Sequence, residues 1–325
     1  MTAAAWTTRG FEAFRKGAFG NGGQNLYVSR AGVLQRIFRY DFSNDGHFDL
    51  LFVNSQDMDE RPPVYVYDDP LGAAGRTALP TRGAYAAAAG DLNGDGIDEL
   101  VVGHQCDGSM SDLTAFVYYG SAAGLSERYR LELPAPNCRG VAIGDFNGDG
   151  RPDIVFACNG RLRLFLQDNG GFVASRFTEL DLDCLHIVAA DLDGDGKVDL
   201  YVRPRQGPAL ILWGGASGLD LSTATPVPGN DAEPTERPGT TPSWAPFTLS
   251  WRPKILRLGD VPHLFRGGGP DALLYPVRPD RTLAEPLVFR DAHAASAAAG
   301  DINGDGCDDL VLVCHAPPDW APGSG

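Results

Sequence analysis

An acidic segment of ten residues recurs along this chain, and no other feature constrains the fold as strongly. It reads Asp-x-(Asp/Asn)-x-Asp-Gly-x-x-(Asp/Glu)-(Leu/Ile), with Ser43 at the third position of the first copy. Four copies follow one another about every 50 residues, and the last lies about two such periods further on. A weaker unit between them keeps Asp260 and Asp271 but not the acids in the middle. The copies begin at Asp41, Asp91, Asp145, Asp191 and Asp301.

Short apolar runs flank the copies. Small or apolar residues precede each copy, as at 86–90 and Ala294–Gly300, and β-branched or aliphatic residues follow it, as at 100–103 and 154–157. A third run, such as Val64–Tyr67, comes about ten to fifteen residues later. Short runs of this composition bounded by turn residues predict β-strands. Three or four strands in each repeat of about 50 residues indicate the blades of a β-propeller.

Copies in register resemble the FG-GAP/VCBS repeat, the blade of integrin α-subunit propellers and of many bacterial surface proteins. The resemblance spans about residues 24–315. It implies an all-β fold, a β-propeller of about six four-stranded antiparallel blades, with about seven as the alternative because integrin-like relatives usually have that number. We expect the N-terminal runs at 25–29 and 33–38 to complete the last blade and also to start the first, which would leave no free edge.

The repeat also sets the expected domain boundaries. We expect an N-terminal segment at 1–23, a single β-propeller domain at 24–318 and a C-terminal linker at 319–325. Within the domain, residues 220–251 are rich in Pro, Thr, Gly and Ser where the repeat spacing stretches. This composition predicts a long surface loop inserted into the propeller.

Each acidic segment offers the ligands that calcium prefers. Ca²⁺ takes about six to eight oxygen ligands, and the segment presents side-chain oxygens at positions 1, 3, 5 and 9 and a backbone carbonyl at position 7. An EF-hand or a dockerin would continue into a helix, and an EF-hand would carry Glu at position 12, where this chain has apolar residues such as Phe52 and Val102. The alternative is a set of solvated acidic turns without metal. We predict a structural calcium ion in each loop, held by Asp41, Ser43, Asp45, His47, Asp49, Asp91, Asn93, Asp95, Ile97, Glu99, Asp145, Asn147, Asp149, Arg151, Asp153, Asp191, Asp193, Asp195, Lys197, Asp199, Asp301, Asn303, Asp305, Cys307 and Asp309.

The opposite ends of the predicted strands collect a different set of polar residues. Propellers commonly bind ligands where the loops of several blades converge. Arginine there could clamp a carboxylate or sulfate on a sugar, and histidine could act as a general base. The alternatives are arginines that serve solubility and ordinary histidines at loop ends. The candidates for this ligand face are His104, Arg139, Arg161, His186, Arg203, Arg205 and His315.

Two functions are compatible with these residues. The first is a non-catalytic binding module, extracellular or at the cell surface, which recognises a glycan or a protein partner. This is favoured because the sequence has no G-x-S-x-G elbow, phosphate loop or H-E-x-x-H motif. The second is a polysaccharide lyase or another carbohydrate-active enzyme, in which Arg neutralises a uronate carboxylate and His takes the neighbouring proton.

Net charge, hydropathy and cysteine content limit the possible partners and the location of the chain. A net charge of −15 disfavours nucleic acids and anionic membranes as partners. We see no signal peptide and no apolar run long enough for a transmembrane helix. Cys138 and Cys158 could pair across a hairpin, and the alternatives are Cys158 with Cys184, Cys106 with Cys138, or buried free thiols.

Overall fold

The fold is almost entirely β. The computed structural model describes residues 37–40, 49–53, 61, 63–67, 76–107, 109–169, 171–229, 253–267, 270–302, 305 and 307–314. In this part of the chain the strands form six antiparallel sheets, and helix is confined to two single 3₁₀ turns, Glu127–Tyr129 and Leu221–Thr223. The prediction of an all-β chain with antiparallel sheets is therefore confirmed. No helix among these residues has the length and apolar character needed to cross a membrane.

Contacts between residues divide the chain into two compact units, and unit 1 consists of Met1–Asp145 and Asp149–Cys184. It contains three four-stranded sheets in which each strand pairs with the next along the chain. The sheets are sheet 1 with β1 (Ile37–Tyr40), β2 (Asp49–Phe52), β3 (Val64–Tyr67) and β4 (Arg76–Leu79), sheet 2 with β5 (Ala84–Gly90), β6 (Glu99–His104), β7 (Thr114–Tyr118) and β8 (Arg130–Pro134), and sheet 3 with β9 (Cys138–Gly144), β10 (Asp153–Cys158), β11 (Arg161–Phe165) and β12 (Thr178–Leu180).

Unit 2 consists of Phe146–Gly148 and Leu185–Gly325. Its sheets also pair their strands in chain order, and the last has two strands among the described residues. The sheets are sheet 4 with β13 (Cys184–Ala190), β14 (Asp199–Pro204), β15 (Ala209–Leu212) and β16 (Thr225–Val227), sheet 5 with β17 (Lys254–Leu258), β18 (Val261–Arg266), β19 (Ala272–Pro276) and β20 (Leu287–Phe289), and sheet 6 with β21 (Ala294–Gly300) and β22 (Asp309–Cys314).

The acidic segments are the connections between the first two strands of their sheets. In sheet 2 the pairing of β5 with β6 runs up to Gly90 and Glu99, and sheet 3 repeats this at Gly144 and Asp153. Because antiparallel strands alternate in direction, the connection from the third to the fourth strand lies at this same end of the sheet. The connection from the second to the third strand lies at the opposite end. We call these two ends the loop end and the far end.

The second strands of sheets 2 and 3 are buried on both faces, which explains their largely apolar sequences. Every residue of β6 is buried. Leu100 and Val102 point into the apolar cluster shared with sheet 1, whereas Val101 points into the cluster shared with sheet 3. This alternation follows the period of two in a strand. The first strand of sheet 3 packs closely here, since a Cβ at Gly103 would lie 2.4 Å from the Cys138 sulfur.

In the weaker repeat a strand lies between the two retained acids. Asp260 ends a two-residue turn after β17, and β18 occupies most of the stretch up to Asp271. Gly259 adopts a left-handed φ of 59° in that turn. The reason for the strand is burial, because Leu264 and Phe265 are fully buried and bring the chain back into the core.

The predicted insertion at 220–251 also begins with ordered structure. A 3₁₀ turn capped by the Asp220 side chain leads into β16, whose Val227 is fully buried. The first part of this stretch is thus the fourth strand of sheet 4, and residues 230–251 lie outside the described residues. Of the expected N-terminal runs at 25–29 and 33–38, only Ile37 and Phe38 are described, and they begin β1 of sheet 1. Closure of the last blade and the single-domain boundaries therefore stay predictions.

Candidate functional site

Loop 91–99 folds around its own side-chain oxygens. Asp91 Oδ1 accepts a hydrogen bond from Gly94 N at 2.7 Å, and its Oδ2 accepts one from Gly96 N at 2.9 Å. Asn93 Oδ1 accepts one from Asp95 N at 2.8 Å. Backbone donors thus hold the acidic side chains inside the bend and fix the direction of their remaining lone pairs.

The other acidic loops repeat these bonds. In loop 191–199 the carboxylate of Asp191 again bonds Gly194 N and Gly196 N, and in loop 145–153 that of Asp145 bonds Gly150 N. The glycine at position 6 adopts a left-handed conformation, with φ of 84° at Gly96 and 83° at Gly196, which a residue with a Cβ reaches only with strain. The sequence pattern Asp-Gly at positions 5 and 6 therefore encodes the bend itself.

Position 9 has a role that the motif alone did not reveal. Glu99 and Asp199 are fully buried, although both are acids. Glu99 accepts hydrogen bonds from Leu92 N at 2.7 Å and Gly120 N at 3.2 Å, so it ties the loop to the end of the third strand. Asp199 does the same through Leu192 N and Gly214 N.

Burial sets the protonation of these position-9 acids. It raises the pKa of Glu99 above its usual value, and it raises the pKa of Asp199 to about 6, while the backbone donors oppose both shifts. A nearby cation would favour the ionised form of each carboxylate.

The donor set of loop 191–199 has the dimensions of a calcium site. Asp191, Asp193 and Asp195 each offer a carboxylate oxygen, and these oxygens lie within 4.8 Å of one another. Two oxygens that bind one calcium ion at about 2.3–2.6 Å can be at most about 5 Å apart. Carboxylate oxygens grouped in a glycine-turned loop suit a hard divalent ion, so the residues present fit calcium.

Basic side chains approach two of these loops. Lys197 Nζ lies 2.8 Å from Asp195 Oδ2, and Arg151 Nη2 lies 2.5 Å from Asp149 Oδ2, each within its own loop. Arg281 reaches loop 191–199 from sheet 5, at 2.6 Å from Asp193 Oδ2. Among the described residues, no lysine or arginine pairs with Asp91, Asp95 or Glu99 of loop 91–99, and the seventh position of this loop is an isoleucine.

The two remaining loops are described only in part. Residues 41–48 lie outside the described residues, and with them Asp41, Ser43, Asp45 and His47; Asp49 begins β2. In loop 301–309 the familiar bonds reappear from Asp305 N to Asp301 Oδ1 at 3.1 Å and from Ile302 N to Asp309 Oδ2 at 3.0 Å, whereas Asn303 is not described. The ligand assignments in these loops stay predictions.

At the far end of sheet 2, the structure buries His104 instead of presenting it to solvent. Its Nδ1 donates to the Thr114 carbonyl oxygen at 2.6 Å, and its ring packs edge-on against Phe116 at 4.4 Å. Burial lowers the pKa of His104 to about 4, so the ring is neutral at physiological pH. His104, predicted as a ligand-face residue, is therefore a core residue of sheet 2.

Asp107 organises the exposed surface beside His104. Its Oδ2 accepts a hydrogen bond from Arg82 and forms an ion pair with Arg61, each at 3.1 Å, and its Oδ1 accepts hydrogen bonds from Ser109 and Met110. The hydrogen bond from the Ser109 hydroxyl is the main reason why the pKa of Asp107 lies well below its usual value. The carboxylate is buried while the two guanidinium groups remain about half exposed. The spacing of the repeat gave no signal for this cluster, which brings residues together from three different connections.

The other far-end candidates differ in exposure. Arg203 is buried at the end of β14, Arg205 is exposed just after it, and Arg161 is half exposed beside Glu179 and Asp181. Arg139 and His186 are half-buried in the first strands of sheets 3 and 4, and His315 lies outside the described residues.

The described cysteines Cys106, Cys138, Cys158, Cys184 and Cys307 are free thiols. Cys138 and Cys158 are cross-strand partners, as their spacing predicted, but they form no disulfide. Burial raises the pKa of Cys158 to about 11, and it raises the pKa values of Cys138 and Cys184 as well. The three buried thiols are therefore protonated and unreactive at neutral pH.

The acidic loops and their flanking strands match a known family. Residues 41–102 and 109–202 fit the model of the FG-GAP-like repeat. The chain carries FG-GAP-like repeats. The resemblance seen in the sequence is thereby confirmed, and it includes the loops that begin at Asp41, Asp91, Asp145 and Asp191.

Relatives with FG-GAP-like similarity include two much longer proteins. Cartilage acidic protein 1 of Xenopus tropicalis is 33% identical over 38% of this chain, and integrin alpha pat-2 of Caenorhabditis briggsae is 27% identical over 42%. The matches span only 20% and 14% of the lengths of those relatives. The FG-GAP-like repeats and the integrin match identify an integrin-like β-propeller domain.

One solved structure supports the same fold. The chain is similar to an Agrocybe aegerita lectin, described in terms of its specific recognition of non-reducing terminal N-acetylglucosamine, with a TM-score of 0.51. The identity is 15%, over 85% of this chain and 73% of that chain. At this identity the likeness concerns the fold alone.

Proposed function

We propose that this chain is a calcium-stabilised β-propeller module that binds a glycan or protein partner at the far ends of its sheets. The observation that supports calcium most directly is the set of three carboxylates in loop 191–199 whose oxygens lie within 4.8 Å of one another. Similar backbone hydrogen bonds in the other loops support the same role there. Position 1, 3 and 5 side chains and the position 7 carbonyl would hold the ion, and position 9 would anchor the loop or add a ligand.

Calcium would supply the positive charge that the acidic bends need. Crowded carboxylates repel one another, and an ion bound only to the folded chain stabilises it by linkage. The chain's own residues do the rest. Glycines turn the loop, backbone N–H groups orient the carboxylates, and Glu99 and Asp199 fasten each loop to its sheet.

Ligand binding at the far end is supported by the cluster around Asp107. A buried carboxylate that holds Arg61 and Arg82 in place presents two oriented, half-exposed guanidinium groups. Such groups suit hydrogen bonding to a carboxylate, a sulfate or a sugar hydroxyl. The integrin match and the likeness to a lectin in fold favour, by analogy, a protein or a glycan as the partner. For the lyase alternative, buried His104 could not reach a substrate, which leaves half-buried His186 as a candidate base.

We also propose that the module has about six blades, that the last is completed by strands from the N-terminal residues 25–36, and that it works outside the cell or at its surface. Sheet 6 supports the closure, since it has two strands among the described residues where the other sheets have four. The location is proposed by analogy with cartilage acidic protein 1 and integrin alpha.

Thermal unfolding with calcium or with a chelator tests the calcium proposal. We expect the melting temperature to rise with calcium, and we expect the rise to shrink in the double variant Asp91→Asn, Asp95→Asn. Asp112→Asn, an exposed acid outside the loops, is the matched control. A melting temperature that is the same in calcium and in chelator would overturn the proposal.

A glycan-array screen with and without calcium, repeated with Arg82→Gln, tests ligand binding at the far end.

A further inference from the structure

Arg281 brings a protein cation into loop 191–199 from the neighbouring sheet of unit 2. Its Nε lies 2.6 Å from Asp193 Oδ2, and its Nη2 lies 3.1 Å from Asp195 Oδ2. The guanidinium therefore bridges two carboxylates at positions 3 and 5 of the predicted calcium loop. Asp193 is 88 positions away in sequence, so this contact depends on the packing of sheet 4 against sheet 5.

The turn that carries Arg281 is firmly built. It connects β19 to β20, and it is closed by hydrogen bonds from Arg278 N to Thr282 O at 2.9 Å and from Arg281 N to Arg278 O at 3.0 Å. The Val277–Leu283 bridge fixes its base. Arg281 itself has a left-handed φ of 64°. The hydrogen bonds of the turn hold the Arg281 backbone in this conformation.

Arg281 uses the carboxylate oxygens that are left for an ion. Asp193 Oδ1 and Asp195 Oδ1 already accept backbone N–H groups at 3.0 and 2.9 Å. Their Oδ2 atoms face Arg281, and Lys197 also donates to Asp195 Oδ2 at 2.8 Å. The Asp193 side chain is only 3% exposed beneath the arginine. A calcium ion bound by these Oδ2 atoms would replace hydrogen bonds to Arg281.

We propose that Arg281 is the built-in cation of loop 191–199 and competes with calcium for Asp193 and Asp195. Loop 191–199 should then bind calcium more weakly than loop 91–99, although it carries the richer set of acids. The cause is Coulomb repulsion between the guanidinium and the divalent ion, together with the loss of two charge-assisted hydrogen bonds. This inference rests on the proposed calcium function and adds that one site is tuned by the neighbouring sheet.

Trp213 provides a luminescence reporter close to this loop. Its ring lies 5.2 Å from the Arg281 guanidinium, and its Nε1 is fixed by a hydrogen bond to Thr225 Oγ1 at 2.9 Å. Tb³⁺ replaces Ca²⁺ in oxygen sites and luminesces when a nearby tryptophan is excited. Because the residues after Trp213 also contact Phe146 of loop 145–153, we assign to loop 191–199 only the Tb³⁺ luminescence that disappears both in Trp213→Phe and in Asp191→Asn. Its displacement by added Ca²⁺ gives the calcium affinity of loop 191–199.

The test compares the calcium affinity of the Arg281→Gln variant with that of the unsubstituted protein. We expect the calcium affinity of loop 191–199 to increase by at least about tenfold in Arg281→Gln, and less in Arg281→Lys, which keeps the charge but loses the bidentate fork. Arg278→Gln is the matched control, because Arg278 lies in the same turn but bonds Thr282 and Leu283 instead of the loop.

The possible results separate this inference from the calcium proposal. Tb³⁺ and Ca²⁺ binding with an affinity that is unchanged or weaker in Arg281→Gln would overturn the competition and leave the calcium loops standing. If neither the unsubstituted chain nor Arg281→Gln binds Tb³⁺ or Ca²⁺ in any loop, both the competition and the calcium proposal are overturned. Tighter binding in Arg281→Gln but not in Arg278→Gln would support the inference.

Discussion

The loop end and the far end of the sheets are built on different principles. At the loop end, sheets 2 and 4 repeat the same hydrogen bonds, down to the buried acid at position 9 that binds the backbone at position 2. At the far end the connections between the second and third strands differ: sheet 2 has Asp107 between two arginines, whereas sheet 3 closes in a two-residue turn at Asn159 and Gly160. The repeated end meets one structural demand shared by all units, and the variable end is where recognition can be specialised.

The largest effect should come from breaking the anchor at the loop end. Glu99→Ala removes the acceptor for Leu92 N and Gly120 N, and two buried donors without partners cost about 3 kcal/mol of unfolding free energy. Urea unfolding measures the loss. The control Glu127→Ala, an exposed acid, should change stability by less than about 0.5 kcal/mol. Equal losses in the two variants would contradict a special role for position 9.

A loss of similar size should appear at the far end when the pH falls. The pKa of His104 is about 4 in the folded chain and about 6.5 when unfolded, so the unfolded chain binds more protons between these values. The contribution of neutral His104 to the free energy of unfolding is complete above about pH 6.5. It is lost as the pH falls towards 4, by up to about 3 kcal/mol. Urea unfolding at several pH values should show a shallower pH dependence in His104→Gln. An unchanged slope would mean that His104 is accessible to protons in the native state.

Glycine substitutions at the two ends sharpen the comparison. Gly196 and Gly160 have left-handed φ values of 83° and 74°, and Ala at either position should cost about 1–2 kcal/mol. Gly196→Ala should also weaken calcium binding, since it disturbs the bond to Asp191, whereas Gly160→Ala should leave it unchanged. Calorimetric calcium titration of both variants decides this. A similar loss of calcium binding in both would show that the two ends are coupled.

The smallest stability effect should come from the surface of the far end. Arg82 is 43% exposed and shares Asp107 with Arg61, so Arg82→Gln should shift the melting temperature by less than about 2 °C. Binding on the glycan array should nevertheless fall. A large stability loss with intact binding would make the cluster a structural feature instead of a recognition surface.

The loop end was largely predictable from sequence because its information is local. Asp, Asn and Gly at fixed spacing specify a bend whose side chains accept hydrogen bonds from its own backbone. Buried strands such as β6 and β10 can be recognised by their continuous apolar runs. Fourth strands such as β8 and β12 were not located, because they are short and partly exposed and so carry little apolar pattern.

The contacts that tune each site could not be predicted in the same way. Arg281 meets Asp193, and Arg82 meets Asp107, only after separate strands have packed or turned back on each other. His104 was misplaced because a polar residue at a strand end looks exposed in sequence, whereas Thr114 and Phe116 supply its bond and its packing. Pairs of distant residues leave no periodic trace in a single sequence.

Crystals grown in calcium would test the central claim most directly, through the anomalous scattering of the bound ion. We predict a calcium peak in loops 91–99 and 145–153, within about 2.3–2.6 Å of the side-chain oxygens at positions 1, 3 and 5. Well-ordered loops without a peak, or carboxylates that turn away from one another in saturating calcium, would contradict the account.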